Sequence, residues 1–280
     1  MNYIEVNNLE YFDIKQIFDC GQCFRFEING DSSVEGVALG KFLRLEQTSA
    51  SSVRIYATKE DYERIWKHFL ALDEDYGAVR ADIKSAFPGD KTMERAMEAG
   101  RGIRILRQDS WEALCSFIIS QNNNIPRIKG IISNLCRTYG DKIIAEDGRE
   151  FYSFPSAERV LDAGLEGMNG LRTGFRAKYI IAAAKAVCER EIDLEALSKM
   201  QTDKALAELC SLYGVGLKVA SCVALFGLYK LDAFPVDVWV KRILAKYYPD
   251  GLDISKLGGY AGIAQQYLFY YERYLADKNA

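Results

Sequence analysis

The sequence predicts an α+β protein, mainly α-helical, in which an N-terminal antiparallel β-sheet domain precedes a helical region carrying a helix-hairpin-helix motif. Apolar and polar residues alternate through the first ~58 positions, with turn-rich breaks between runs. From about residue 91 the apolar residues instead recur at three- and four-residue spacing. Near residue 215 a Gly-x-Gly joins two of these amphipathic segments.

In order along the chain, Phe24, Phe26 and Ile28 share one face of an extended run, Leu43 and Leu45 alternate, and so do Val53, Ile55 and Ala57. Asn29-Gly30-Asp31-Ser32-Ser33 reads as a turn between such runs. Alternation of this kind predicts antiparallel strands with one covered face. Residues 60–86 return to helical spacing, which ends before Pro88-Gly89. Sheet and helices form a domain over 1–90, and 91–280 is helical. Trp111, Leu114, Cys115, Ile118 and Ile119 make one apolar stripe, running into Gln121-Asn122-Asn123-Asn124 and then Pro126. Ile128, Ile131, Ile132, Leu135 and Cys136 make the next, with Gly140 placed to end the helix in a left-handed turn. Further helices are expected over 176–189, 203–212, 217–228, 237–248 and 260–276, with Thr202 capping the second of these.

Composition narrows the function. Lysine and arginine number 36 against 39 aspartates and glutamates, for a net charge of −3 and a pI near 5.5. That balance argues against a non-specific nucleic-acid binder, but permits a local grip made by backbone amides. No apolar run approaches the roughly 18 residues of a membrane helix, and Met1–Glu10 has no secretory h-region. A cytoplasmic protein, nucleoid-associated in a bacterium or archaeon, is the expectation. The seven cysteines read as reduced thiols, mostly on apolar helix faces. Cys20 and Cys23 form a CxxC with no second pair, and His68 is the single histidine, so no metal site is expected.

The most informative stretch is Leu212-Tyr213-Gly214-Val215-Gly216-Leu217-Lys218, lying between helices within about 203–228. Two glycines allow a tight hairpin, and the exposed N–H groups of Gly214, Gly216 and the second helix can hold a DNA phosphate. Lys218 falls in the first turn of that helix, where a cation is disfavoured by roughly 0.3–1 kcal/mol. Nineteen residues on, Phe234-Pro235-Val236-Asp237-Val238 stops one segment and starts another, with Asp237 as N-cap. Taken singly these features have plainer readings: an ordinary helical hairpin, a solvated lysine, a structural cap.

Together, Gly-Val-Gly-x-Lys followed by Pro-Val-Asp-Val resembles the helix-hairpin-helix–Gly/Pro–Asp superfamily of DNA glycosylases. Further blocks resemble its 8-oxoguanine glycosylase/lyase family: Cys20-Gly21-Gln22-Cys23-Phe24-Arg25, Ile103 to Asp109, Asn122-Asn123-Asn124-Ile125, Phe175-Arg176-Ala177-Lys178-Tyr179, and Ala264-Gln265-Gln266-Tyr267-Leu268-Phe269. The resemblance implies base flipping followed by attack of Lys218 on the sugar C1′, a Schiff base and β-elimination. Asp237 would stabilise the developing positive charge. The Gly21 carbonyl would accept the N7 proton that only the oxidised base carries, Cys222 and Phe269 would flank the base, and Gln265 would read its Watson–Crick edge. Asn122, Arg127 and Arg176 would meet the orphaned cytosine, Phe175 would wedge beside it, and Asn123 would contact phosphate. The implied partner is duplex DNA with 8-oxoguanine opposite cytosine, bound by a monomer. No cofactor is implied, and the 213–218 hairpin is a candidate holder of a monovalent cation. Trp239 stands where the family has a histidine, Phe175 replaces a tyrosine and Gln121 a serine.

Three rivals remain on sequence. A monofunctional glycosylase for alkylated bases would keep the aspartate and lack Lys218. An endonuclease III-like enzyme would carry a Cys-ligated cluster after the aspartate, and no cysteine follows Cys222. A non-catalytic helix-hairpin-helix DNA-binding protein would need neither Lys218 nor Asp237 at this spacing.

Overall fold

The alternating N-terminal third forms a five-stranded sheet in the computed structural model, which describes residues 2–274 in full and helical backbone through Lys278. The outer ends of the two expected domains, Met1 and 279–280, lie outside the described residues. The chain runs β1 (Ile4–Val6), α1 (Ile14–Asp19), β2 (Phe26–Ile28), β3 (Ser33–Ala38), β4 (Lys41–Ser49) and β5 (Ser52–Tyr56). All strand pairs are antiparallel, in the order β1-β5-β4-β3-β2. The register sets Val34 opposite Leu45, and Leu45 opposite Ile55. Leu43, Leu45, Val53 and Ile55 are fully buried on one face, against Ile14, Ile17 and Phe18 of α1 and against Trp66 and Phe69. Each such side chain contributes about 1.5–3 kcal/mol on burial.

The expected helical stretch over 60–86 is two helices. A continuous turn runs through α2 (Lys59–Asp61), a π segment at Tyr62–Trp66, and α3 (Lys67–Phe69). The chain then breaks at Ala71, which has a positive φ of 49°, before α4 (Tyr76–Ala86). Tyr76, Val79 and Ile83 of α4 pack into the helical core rather than beneath the sheet.

Next come α5 (Lys91–Ala99), α6 (Ser110–Ser120) and α7 (Ile125–Tyr139). The predicted stripes are the buried faces of α6 and α7. Gly140 does follow α7, but with extended backbone (φ −83°, ψ 164°). Glycine is needed there because a Cβ would strike the carbonyls of Ser153 and Cys136. The carbonyl of Ser153 lies just beyond a hairpin that the reading of continuous helices after residue 91 overlooked: β6 (Lys142–Ile144) pairs with β7 (Glu150–Tyr152). Its Phe151 ring packs 4.6 Å from Phe42 of the main sheet.

The rest is helical: α8 (Ala157–Gly167), a single 3-10 turn at Gly174–Arg176, α9 (Ala177–Cys188), α10 (Leu194–Lys199), α11 (Thr202–Ser211), α12 (Leu217–Phe226), α13 (Val238–Tyr247), a 3-10 stretch at Ile254–Tyr260, and α14 (Ala261–Lys278). Thr202 does not cap α11. It is the first helical residue, and its hydroxyl instead lies 2.6 Å from both carboxylate oxygens of Asp232, a stronger acceptor. Among the described residues no helix is long and apolar enough to cross a membrane.

The loop 20–25 leaves the sheet to join the helical core. Phe24 therefore packs edge-on to Phe117, 5.9 Å away, while Phe26 stays under the sheet and Ile28 is exposed; the expected shared face of the three does not form. Arg25 binds Glu112 of α6 at 3.0 Å, with side-chain exposures of 8% and 16%, and also donates to the Tyr152 carbonyl. Burial raises the Glu112 carboxyl pKa and Arg25 opposes the rise. Removing one partner strands the other. Arg25→Ala should lower unfolding free energy in a urea titration by about 3 kcal/mol, and Arg25→Met combined with Glu112→Leu should restore most of it.

Candidate active site

Two helix starts and one loop meet the middle of α14 around an open cavity. Lys218, Asp237, Gly21, Cys222, Gln265 and Phe269 all line it. These residues come from four places in the chain, so their convergence is a property of the fold.

Lys218 is the second residue of α12. Its Nζ lies 3.4 Å from Ser120 Oγ and 5.9 Å from the centre of the Phe117 ring. Cys222, one turn further along α12, is buried beside it. Burial pushes the Cys222 thiol up to about 11, against the downward pull of the Lys218 ammonium. Pro235 holds the chain extended before α13, and Asp237 caps that helix, accepting from Val240 N–H at 2.8 Å. The cap bond fixes one carboxylate oxygen, while the residue still faces the cavity. Val238 and Leu217, sequence neighbours of the two, are exposed at 63% and 66%.

Gly21 sits in left-handed backbone, φ +78°, and an added Cβ would lie 3.7 Å from the Phe269 ring. Its loop is pinned by Gln22, 1% exposed. The Gln22 amide nitrogen donates to the carbonyls of Ile17 (2.8 Å) and Arg104 (2.9 Å), and its oxygen accepts from Leu106 N–H (2.8 Å). Cys20 also touches the cavity; burial pushes its thiol up to about 12. On α14, Gln265 is 3% exposed and its Oε1 has no hydrogen-bond partner. Leaving such an atom unpaired costs about 1–3 kcal/mol, which a bound ligand can recover.

Sequence reasoning did not single out Ser120, Phe117, Phe226 or Gln266, and read Pro235 only as a helix stop and part of the Pro-Val-Asp-Val motif; it too lines the cavity. Phe117 and Phe226 stack at 5.3 Å along one wall. As ordinary core residues of α6 and α12 they carried no signal of their own.

The expected DNA-facing residues lie on neighbouring turns. Asn122, exposed and at φ 46°, follows the α6 end. Asn123 donates to the Ile119 carbonyl at 3.0 Å, and Asn124 caps α7 through Arg127 N–H at 3.0 Å. The Arg127 side chain is exposed. Arg176 is 2% exposed and serves as an internal brace: it donates to the carbonyls of Gln121, Asn122 and Thr173, and stacks on Phe175 at 4.5 Å. Phe175 is 49% exposed. Behind it Tyr179 lies edge-on to both Phe175 (5.9 Å) and Tyr213 (5.1 Å), and fills the space a Cβ on Gly214 would need. Gly214 is at φ +82°; Gly216 is the N-cap of α12 and leaves its first N–H groups without a side-chain cap. Lys178 adds a positive charge, its Nζ 5.5 Å from the Tyr213 ring. Trp239 is half-buried under the Arg242 guanidinium, 5.3 Å from its ring. Among the described residues no group of three or more His, Cys, Asp or Glu side chains could hold a metal ion.

Residues 4–114 match the model of the 8-oxoguanine DNA glycosylase N-terminal domain, and residues 115–253 that of HhH-GPD superfamily base excision DNA repair proteins. The chain is 32% identical to an N-glycosylase/DNA lyase of Arabidopsis thaliana over 280 residues, covering 90% of this chain and 75% of the relative. It superposes on MBOgg1 in complex with a low-affinity DNA ligand at TM-score 0.92 and 38% identity, over 99% of this chain and 97% of the other. With the Clostridium acetobutylicum 8-oxoguanine glycosylase/lyase bound to DNA containing cytosine opposite 8-oxoG, the values are 0.91 and 35%, over 100% and 97%.

Burial of the pocket thiols has a measurable consequence. At pH 8 a thiol with a pKa of about 11 is ionised to roughly one part in a thousand, so Cys222 should resist iodoacetamide while exposed Cys210 reacts. Peptide mapping by mass spectrometry should show Cys210 labelled first; equal labelling of Cys222 would contradict the buried site.

Proposed function

We infer, for a chain that belongs to the 8-oxoguanine N-glycosylase/DNA lyase family, that Lys218 and Asp237 carry the excision of 8-oxoguanine from duplex DNA. The observation that carries this reading is the convergence of both residues on one cavity with Gly21, Cys222, Gln265 and Phe269. The enzyme is bifunctional, and its partner is double-stranded DNA.

A purine is too deeply stacked to be reached in the duplex, so the damaged nucleotide turns out into the cavity. The flipped base lies between Cys222 and Phe269, both of which offer apolar surface. The Gly21 carbonyl accepts the N7 proton of 8-oxoguanine; guanine presents a lone pair there, and two facing acceptors repel. Gln265 takes the Watson–Crick edge, which satisfies its orphan oxygen.

With the base held, the Lys218 amine in its neutral form attacks C1′. The C1′–N9 bond breaks, its electron pair leaves with the base, and the base is protonated as it departs. The carboxylate of Asp237 stabilises the positive charge that builds on the sugar during this exchange. Ring opening gives a Schiff base between Lys218 and C1′. Loss of a C2′ proton then expels the 3′ phosphate by β-elimination and nicks the strand. None of these steps draws on a metal.

The grip on DNA is local. Gly214, Gly216 and the uncapped N–H groups of α12 suit a phosphate, with Lys178 beside them. A monovalent cation in the 213–218 hairpin would strengthen that grip without entering the chemistry. Asn122 and Arg127 meet the orphaned cytosine from the surface, Arg176 from the turn it braces, and Phe175 wedges into the opposite strand. Asn123 keeps the same turn in shape next to the phosphate. The enzyme acts as a monomer in the cytoplasm, on the nucleoid in a bacterial or archaeal cell.

Release of free 8-oxoguanine from an 8-oxoguanine·cytosine duplex, followed by chromatography, tests this reading. Wild type should release the base and nick the strand. Lys218→Gln should lose both by about 10³-fold or more, and Asp237→Asn should slow release by about 10²–10³-fold with DNA affinity retained. Undiminished base release by Lys218→Gln would mean that water, not the lysine, is the nucleophile.

A further inference from the structure

Gln266 is the feature of the pocket that the reading above leaves unused. It is 4% exposed, lines the same cavity as Lys218 and Asp237, and its Oε1 has no hydrogen-bond partner. Two adjacent buried glutamines, each with an unpaired oxygen, border one cavity. An unpaired buried amide is costly unless a ligand completes it.

Position on α14 separates their tasks. Gln265 is one turn before Phe269, and the Phe269 ring lies against Gly21. Gln266 is one turn after Gly262, whose N–H donates to the Leu231 carbonyl at 2.7 Å and whose Cα packs against Leu225 and the Ala233 carbonyl. That helix face looks toward the segment leading to Pro235 and Asp237. Gln265 therefore belongs to the Gly21 wall and Gln266 to the Asp237 wall.

The chemistry of the base assigns an edge to each wall, given the proposed function on which this rests. With C1′ at Lys218 and the N7 proton at Gly21, the N7/O6 side of the purine faces the Gly21 wall, from which Gln265 reaches the Watson–Crick edge that continues from O6. Across the glycosidic bond the purine presents N3, an acceptor, and the 2-amino group, a donor. A carboxamide offers the complementary pair, an N–H donor and a carbonyl acceptor. We propose that Gln266 is a second base-reading amide, specific for the N3/2-amino edge of the flipped 8-oxopurine, selecting bases that carry the 2-amino group.

The test compares single-turnover excision of 8-oxoguanine and of 8-oxohypoxanthine, which lacks the 2-amino group, each opposite cytosine. Wild type and Gln266→Met are measured side by side, with affinity for a tetrahydrofuran abasic duplex as the check on folding and DNA binding. Wild type should prefer 8-oxoguanine. Gln266→Met should slow 8-oxoguanine excision about 10- to 100-fold, shrink the preference about tenfold, and bind abasic DNA as wild type does. An unchanged preference, whether both substrates slow equally or neither does, overturns the assignment and leaves the proposed function standing. Failure of wild type to excise 8-oxoguanine would overturn the proposed function and this inference with it.

Discussion

The side-chain amide of Gln22 holds the site together. It is buried, and it binds the Ile17 carbonyl at the end of α1, the Arg104 carbonyl and the Leu106 N–H. Those bonds tie the sheet domain to the irregular segment 103–108 that leads into α6. A buried amide with its acceptor and both donors occupied is worth more as a fixing device than as stability, because any shift leaves groups unpaired. Gly21, the neighbouring residue, is thereby set against Phe269 on α14. Arg104 reinforces the junction from the other side, donating to the carbonyls of Glu10, Tyr11, Ala71 and Glu74. The discriminating carbonyl proposed at Gly21 thus owes its position to contacts that never touch a substrate.

The net charge of −3 is compatible with a DNA-binding surface because the surface does not depend on net charge. Its proposed elements are an uncapped helix start at Gly216, exposed aromatic and aliphatic side chains at Phe175, Tyr213, Leu217 and Val238, and cations at Lys178 and Arg127. Tyr179 links Phe175, the proposed wedge, to the hairpin through ring contacts on both sides. Capping separates the helix starts by task. Asp237 and Asn124 close α13 and α7 with their own side chains, whereas glycine leaves α12 open to an anion.

Much of this was legible in the sequence. The sheet could be read because a strand with one covered face must alternate, and Leu43, Leu45, Val53 and Ile55 do. That Lys218 and Asp237 share one cavity could be anticipated because a cation at a helix start and an aspartate after Pro-Val are informative as a pair at that spacing. The hairpin β6–β7 was not legible: each strand has only three residues, too few to show an alternation, and its contact with the main sheet runs through Phe151 and Phe42. Nor could sequence show that Arg176, whose residue type suits the proposed base contact, also braces a turn through the carbonyls of Gln121 and Asn122. Gln266 was passed over because residues i and i+1 of a helix point about 100° apart. The cavity is wide enough across α14 to take both.

In the proposed reaction a lysine at the start of α12 forms a covalent bond with the sugar of a flipped 8-oxoguanosine. Borohydride reduction during reaction with an 8-oxoguanine·cytosine duplex tests it most directly, followed by proteolysis and mass mapping of the adduct. A trapped complex whose modified residue is Lys218, absent from Lys218→Gln, is expected. Base release without trapping, or an adduct on another residue, would contradict it.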